Sequence, residues 1–288
     1  MLHFLMFAAG LAALVVGADL LVRGASRLAL SFGISPLVVG LTIVAFGTSA
    51  PEMAVSTGAV LNGQTGLAMG NVVGSNIFNV LFILGLSALI APLVVHVQII
   101  RQEVPILMGA SLLLLVLGLD GRISLTDGAL LFGLLLAYTV FLVVQSRRET
   151  QAAQAEFEAE IHAPAAGAWD ARLPAQIALI VAGLALLVLG SDWLVGAAVV
   201  FAKALGVSDL VIGLTIVAAG TSMPEVATSV AAALKGERDI AVGNVVGSST
   251  FNILGCLGLA GLAAGSEGLV VAPSLMAFDI WVMLAVAL

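Results

Sequence analysis

The chain contains the same phrase twice. Residues 40–52 read GLTIVAFGTSAPE, and residues 213–225 read GLTIVAAGTSMPE. A second phrase follows each copy at the same distance, GNVVGSNIFNVL at 70–81 and GNVVGSSTFNIL at 243–254, so a constant offset of 173 residues relates the two halves. Self-similarity over so long a stretch predicts two copies of one structural unit.

Composition indicates that this unit lies in a membrane. The sequence is 61% hydrophobic and 9% charged, with a mean hydropathy of +1.20, which excludes a soluble globule with a polar surface. Apolar runs of about 20 residues have the length needed to cross a bilayer core of about 30 Å. They predict an all-α polytopic membrane protein with nine spans, at about 3–22, 36–60, 67–91, 103–119, 125–145, 175–202, 206–233, 240–263 and 273–288.

The number of spans predicts how the two units are oriented. The first unit has five spans, and two like units with an odd number of spans enter the membrane from opposite sides, which makes an inverted repeat of 5+5 helices. We assign the first repeat to 1–145, a linker to 146–173 and the second repeat to 174–288. Four spans fit in the second repeat and the last is short, so we expect this sequence to end in the ninth helix of a ten-helix plan.

The basic residues predict the direction of threading, because Lys and Arg concentrate on the cytoplasmic side of membrane proteins. With the N-terminus outside, Arg122 and Lys203 fall outside. The other basic residues and the linker then fall inside: Arg23, Arg27, Arg101, Arg147, Arg148, Arg172, Lys235 and Arg238. We therefore expect a multi-pass protein of the cell (inner) membrane with a cytoplasmic linker.

The first phrase predicts a broken helix. Thr48, Ser49 and Glu52 are spaced by three and four residues, so a helical path puts their oxygens on one face. Pro51 lacks an N–H and clashes with the preceding turn, which should break the second helix and free backbone carbonyls near Ala45. Broken helices at matching positions of two inverted repeats indicate the substrate site of a transporter. The same pattern recurs in the seventh helix, at Thr221, Ser222, Pro224 and Glu225.

The second phrase supplies further polar groups on one helix face. Asn71, Ser75 and Asn79 are spaced by four residues. The interposed glycines form GxxxG patterns at 70–74 and 243–247, which allow close helix approach. We expect the first asparagine of each copy to brace the helix pair. The counterparts in the second half are Asn244, Ser248 and Asn252.

These residues together predict a site for a hard cation. Two carboxylates, several hydroxyls, amide oxygens and backbone carbonyls are brought together, without a thiolate or an imidazole. Ca²⁺ takes six to eight such oxygens in flexible geometry, whereas transition metals prefer nitrogen or sulfur. Glu52 and Glu225 also balance a divalent charge. Ionisable residues within a membrane are candidates for function by default.

The paired GTS-x-PE and GNVVGS-x-x-FN phrases resemble the α-repeats of the cation/Ca²⁺ antiporter superfamily, especially its bacterial sodium/calcium exchanger branch. The resemblance implies ten helices, of which the second, third, seventh and eighth line a midplane site. It also implies which groups bind Ca²⁺ and Na⁺: Glu52, Glu225, Thr48, Ser49, Ser75, Thr221, Ser222, Ser248, Asn79, Asn252 and the carbonyls of Ala45 and Ala218. Some members have Asp where this chain has Asn252, which leaves the counter-ion open between Na⁺, H⁺ and K⁺.

The sequence favours a secondary antiporter that exchanges Ca²⁺ for Na⁺ by alternating access, with Ca²⁺/H⁺ exchange as the alternative. A cation channel built from the same oxygens is a second alternative. An intramembrane hydrolase would need a His or Lys partner for its nucleophile, and none accompanies the repeated serines and glutamates. A primary pump would need a nucleotide-binding motif, which the sequence lacks. We expect no cofactor, no nucleic acid and no obligate protein partner, only the bilayer and the transported ions. The first and sixth helices could slide past the others to switch access.

Overall fold

The computed structural model describes residues 2–93, 95–146, 170, 172–206 and 218–288. Its helices follow one another along the chain with short connections. We number them α1 (Leu2–Phe32), α2 (Pro36–Thr48), α3 (Ala50–Leu61), α4 (Thr65–Ile90), α5 (Ile99–Asp120), α6 (Leu125–Ser146), α7 (Leu173–Ala204), α8 (Ala218–Thr221), α9 (Met223–Leu234), α10 (Arg238–Ala264) and α11 (Leu275–Ala287).

The predicted spans correspond to these helices. Within the described residues, six helices are long and apolar enough to cross a membrane, and the bent pair α2 and α3 makes a seventh. α11 is shorter, as the sequence predicted. The span predicted at 206–233 lies partly outside the described residues, because 207–217 are not described, and so does most of the predicted linker. α1 continues ten residues beyond its predicted end, to Phe32, because good helix formers follow the apolar run until Gly33 adopts a φ of +60°.

The predicted break in the second span is confirmed, and it lies at a serine. Ser49 has φ −80° and ψ 2°, and the axes of α2 and α3 differ by 43° there. Pro51 is the second residue of α3, a position whose N–H would have no partner within α3. Ser222, between α8 and α9, has nearly the same conformation, with φ −89° and ψ 8°.

Two of the long helices contain a π-helical turn at equivalent positions. In α4 the turn is Asn79–Leu84, and in α10 it is Asn252–Cys256. Each turn begins at the last polar residue of the repeated GNVVGS-x-x-FN phrase. An extra residue per turn rotates the side chains that follow and is frequent at functional sites.

α1 and α7 pack side by side and antiparallel, as glycines permit. A Cβ added at Gly10 would lie 2.8 Å from the Gly190 oxygen, and one added at Gly17 would lie 2.9 Å from the Gly183 oxygen. The offset of 173 exchanges these two contacts, since Gly10 corresponds to Gly183 and Gly17 to Gly190. Such reciprocal contacts are what an inverted repeat produces across its two-fold axis.

α10 forms the centre of the molecule. The most apolar stretch of α10 is 89% buried. The same stretch of each other long helix is only about one third buried, which leaves the rest of its surface for lipid. The α5–α6 and α10–α11 connections meet in a two-stranded ladder of β1 (Arg122–Ile123) and β2 (Leu269–Val270). The fold therefore places the second repeated phrase of the second half at the core.

Candidate functional site

The two glutamates are buried and each is held by the opposite half of the chain. Glu52 is 0% exposed and Glu225 is 1% exposed. Ser222 donates from its Oγ to Glu52 Oε1 at 3.0 Å, and Ser49 donates from its Oγ to Glu225 Oε1 at 3.2 Å. The serine at each helix break thus bonds the carboxylate from the other repeat.

Both carboxylates lie in the first turn of a helix that begins at a break. Glu52 is the third residue of α3, and Glu225 is the third residue of α9. The N-terminus of a helix carries a partial positive charge and N–H groups without intrahelical partners, which stabilises a nearby anion. This placement partly offsets the cost of carrying two carboxylates into an apolar interior.

Three buried oxygens at this centre have no hydrogen-bond partner among the described residues. They are Glu52 Oε2, Glu225 Oε2 and Asn79 Oδ1. A buried acceptor without a partner costs about 1–3 kcal/mol, and more when it is charged. Since none of these oxygens can donate when the carboxyls are ionised, a cation is the natural partner for all three.

The predicted hydroxyls surround the carboxylates. Thr48 Oγ1 donates to Asn244 Oδ1 at 3.0 Å and lies 3.3 Å from Ser248 Oγ. Ser75 Oγ lies 3.4 Å from Ser222 Oγ, on the Glu52 side. Thr221 is the last residue of α8, next to Ser222.

The predicted carbonyls differ in how far the structure describes them. The Ala45 carbonyl accepts the Ser49 N–H at 3.0 Å and also lies 3.4 Å from Thr48 Oγ1, so the break does not free it from its own helix. One lone pair of that oxygen at most is left for an ion. Ala218 begins α8, and the role of its carbonyl stays a prediction.

The first asparagine of each phrase braces the helix pair, as predicted. Asn71 Nδ2 donates to Ser56 Oγ at 3.1 Å, and its counterpart Asn244 donates to Ser229 Oγ at 2.9 Å. The glycine pattern at 243–247 also works as predicted, since a Cβ at either glycine would lie within 3 Å of an α2 atom. For the pattern at 70–74, no described atom lies within 4 Å of a Cβ built on either glycine, so its predicted contact stays a prediction.

The last asparagines of the two phrases do not have equivalent surroundings. The Asn79 oxygen is buried without a partner among the described residues, and its Nδ2 is 3.5 Å from Ser249 Oγ. Asn252 instead donates to Asn76 Oδ1 at 3.1 Å and accepts from Cys256 Sγ at 3.4 Å. Asn79 therefore has an amide oxygen without a partner among the described residues, whereas both amide atoms of Asn252 are engaged.

α7 contributes a hydroxyl that the sequence analysis missed. Pro224 has no N–H, so the Gly220 carbonyl lacks its intrahelical donor, and Ser191 Oγ donates to it at 2.6 Å. The residue equivalent to Ser191 in α1 is Ala18, so the repeat gave no signal for this bond. α7 also packs Val195 against Gly220. It therefore covers the break in the seventh span.

Ion pairs attach the C-terminal half of α1 to its neighbours. Arg23 lies 2.8 Å and Arg27 lies 3.4 Å from Asp170 Oδ2. The hydrogen bond from Arg23 holds the pKa of the Asp170 carboxyl below its usual value, and the charges of both arginines act in the same direction. Lys235, in the connection after α9, pairs with Asp19 at 2.8 Å.

Within the described residues no group of three His, Cys, Asp or Glu side chains could hold a metal ion. The centre is therefore a pair of carboxylates completed by neutral oxygens. Neutral oxygens with two negative charges suit a hard cation that is bound and released, as a transported ion must be.

Comparison with known proteins agrees with this chemistry. The family described as sodium/calcium exchanger protein matches residues 2–144 and 175–288. The putative antiporter CaxA of Alkalimonas amylolytica is 40% identical over 257 residues, which are 88% of this chain and 79% of that protein. The inner membrane protein YrbG of Escherichia coli (strain K12) is 39% identical over 97% of this chain and 84% of its own length.

A solved structure of the sodium-calcium exchanger NCX_Mj, soaked with Na⁺ and Ca²⁺, superposes with a TM-score of 0.83 at 31% identity. The match covers 100% of this chain and 90% of that chain. The family, the relatives and the solved structure all describe membrane proteins or exchangers that match nearly the whole chain. This multi-pass membrane protein belongs to the sodium/calcium exchanger family.

Proposed function

We propose that this protein is a secondary antiporter that exchanges Ca²⁺ for Na⁺, with the ion bound between Glu52 and Glu225. The observation that carries the proposal is the set of three unpartnered buried oxygens, Glu52 Oε2, Glu225 Oε2 and Asn79 Oδ1. The likeness to NCX_Mj supports the choice of ions.

The coordination that we propose for Ca²⁺ uses one group of each predicted type. The two carboxylates neutralise its charge, and Asn79 supplies an amide oxygen. The remaining positions of a six- to eight-coordinate shell are filled by hydroxyl and carbonyl oxygens: Thr48, Ser49, Ser75, Thr221, Ser222, Ser248, and the carbonyls of Ala45 and Ala218. Asn252 completes the predicted set, and its participation is taken up below.

Exchange follows from the cost of the empty site. When the site is empty, a switch of access from one side of the membrane to the other would carry two unneutralised carboxylates through an apolar interior. A bare charge there is expensive. Binding of Ca²⁺ or of monovalent cations removes that cost. The loaded carrier can therefore switch access and the empty one cannot, which couples the two fluxes and suppresses leak.

Two helices are placed to carry out the switch. α1 and α7 contact each other over their whole length through glycines, and α7 covers the break at Ser222. We propose that this pair slides as a unit past the helices that hold the carboxylates. Crosslinking the pair to α10 without loss of exchange would exclude this motion.

The membrane placement that we propose follows the basic residues and the likeness to an inner membrane protein. The N-terminus lies outside and the linker lies in the cytoplasm. Labelling of single cysteines introduced at Arg122 and Arg172 with a membrane-impermeant reagent in intact cells tests it. Labelling at Arg122 alone is expected, and labelling at Arg172 would reverse the orientation.

The function is tested by uptake of ⁴⁵Ca²⁺ into proteoliposomes with an imposed Na⁺ or H⁺ gradient. We expect uptake to follow the Na⁺ gradient and to fall about 100-fold or more in Glu52→Gln and in Glu225→Gln, because breaking a buried charge pair costs about 3 kcal/mol or more. Uptake that follows only the H⁺ gradient would instead support the alternative, Ca²⁺/H⁺ exchange.

A third buried glutamate provides the matched control. Glu103 is 0% exposed, but Tyr138, Gln98 and Gln102 all donate to its carboxylate, at 2.8, 3.3 and 2.7 Å. Glu103→Gln should retain gradient-driven uptake. Gradient-independent uptake by the unaltered protein would indicate a channel, and unchanged exchange in both site variants would refute the site.

A further inference from the structure

The two repeats present equivalent asparagines in opposite states. The Asn79 oxygen is buried without a partner among the described residues, whereas Asn252 uses its nitrogen for Asn76 and its oxygen for Cys256. Both residues are fully buried and both begin a π-helical turn. A difference in hydrogen bonding, not in exposure or backbone, therefore separates them.

A backbone carbonyl fixes which groups donate and which accept in the hydrogen bonds around Asn252. The Ser249 backbone carbonyl can only accept, and it receives Asn76 Nδ2 at 3.0 Å. Asn76 must therefore turn its oxygen toward position 252, which requires a donor there. Asn252 meets this requirement with its Nδ2, at 3.1 Å. Its oxygen is thereby directed toward Cys256.

The asymmetry arises from two positions at which the repeats differ. Asn76 in the first half corresponds to Ser249 in the second, and Ser249 Oγ donates to Val245 O of its own helix at 2.9 Å. Cys256 corresponds to Ile83, which carries no donor. Asn79 thus has only Ser249 Oγ, at 3.5 Å from its Nδ2, in place of the Asn76 oxygen, and it has no donor in place of Cys256.

We propose that Asn76 is a positioning residue that keeps the Asn252 carboxamide out of the ion's coordination shell, so that Asn79 alone supplies an amide oxygen. If Asn252 turned its oxygen to the ion, its Nδ2 would leave Asn76 Oδ1, and that buried oxygen would lack a donor at a cost of about 1–3 kcal/mol. This inference rests on the proposed function, because it assigns ligands within that same site.

The experiment is a double-mutant cycle on Ca²⁺ binding to purified protein, measured by ⁴⁵Ca²⁺ scintillation proximity. Asn79→Ala should raise the apparent Kd about tenfold, and Asn252→Ala should change it less than twofold. In the Asn76→Ser background, which copies the residue of the second repeat, Asn252 is released. Asn252→Ala should then change the Kd at least threefold.

Equal effects of Asn79→Ala and Asn252→Ala in the otherwise native protein would overturn the inference. So would an effect of Asn252→Ala that is the same in both backgrounds. Failure of the proposed function looks different, because the unaltered protein would then bind no Ca²⁺ at all.

A second measurement needs no substitution at Asn252. In protein labelled with ¹³C at the asparagine carboxamides, Ca²⁺ should shift an infrared carbonyl band in the native chain, and that shift should disappear in Asn79→Ala. A Ca²⁺-dependent asparagine band that survives in Asn79→Ala would overturn the inference.

Discussion

The glycine contact between α1 and α7 supports a quantitative prediction. A Cβ added at Gly183 would lie 2.6 Å from Leu21 N and 2.8 Å from Gly17 O, and both are backbone atoms that cannot rotate away. To reach an ordinary contact of 3.4 Å, the helices must separate locally by about 0.8 Å. A gap of that size forfeits a quarter to a half of the dispersion energy of the surrounding contacts.

We expect Gly183→Ala to destabilise the protein by about 1–3 kcal/mol, the usual cost of overpacking. Better helix propensity returns up to about 1 kcal/mol of this. Gly196→Ala on the same helix is the matched control, because no described atom lies within 4 Å of a Cβ there. Thermal unfolding of purified protein in detergent should show a lower midpoint for Gly183→Ala and an equal or higher midpoint for Gly196→Ala.

Double substitutions test whether the Gly17–Gly183 contact and the Gly10–Gly190 contact contribute independently to stability. Gly17→Ala disturbs the same contact as Gly183→Ala, so the pair should cost less than the sum of the two. Gly190→Ala acts at the other contact, about 10 Å along the helix, and its cost should add. If Gly183→Ala unfolds at the same temperature as Gly196→Ala, close backbone packing does not hold α1 to α7.

Two further predictions concern single hydrogen bonds and charges. Ser191→Ala leaves the Gly220 carbonyl without its donor and should cost about 1–3 kcal/mol in unfolding, more than Ser111→Ala, whose hydroxyl bonds only its own helix; equal midpoints for the two variants would contradict this. Because the Arg23 hydrogen bond lowers the pKa of Asp170, its stabilisation is present at neutral pH and is lost as pH falls through that lowered pKa. The difference in unfolding midpoint between the native chain and Asp170→Asn should therefore be constant above about pH 5 and should shrink below about pH 4. A difference that does not change with pH would exclude the ion pair as its source.

The centre of the site was predictable because it depends on local chemistry repeated twice. A proline two residues after a serine breaks the helix regardless of its neighbours, and a glutamate in an apolar span has few explanations other than function. The repeat then placed Glu52 beside Glu225 without any knowledge of the packing. In the structure both carboxylates are buried, and each accepts a hydrogen bond from the serine at the other repeat's helix break.

The asymmetry of the site was not predictable from the sequence. Asn76 and Ser249 read as an ordinary difference between two copies, and the state of Asn252 depends on which groups of the other half face it. That a backbone carbonyl sets the direction of the Asn76 amide is a fact of tertiary packing. The bond from Ser191 was missed for the same reason, because it joins residues 29 positions apart on different helices.

The bonding of each carboxylate by the opposite repeat has a consequence for how such a site can change in evolution. Two identical, separate five-helix units assembled about a two-fold axis would carry every substitution on both sides of the centre at once. In a fused chain each copy varies alone, as Asn76 and Ser249 do. A symmetric cage can then acquire one free amide oxygen on one side, at Asn79. Under the proposed coordination, the cation would lie off the two-fold axis toward that side, which gives a duplicated gene product a polarity that its ancestral unit could not have had.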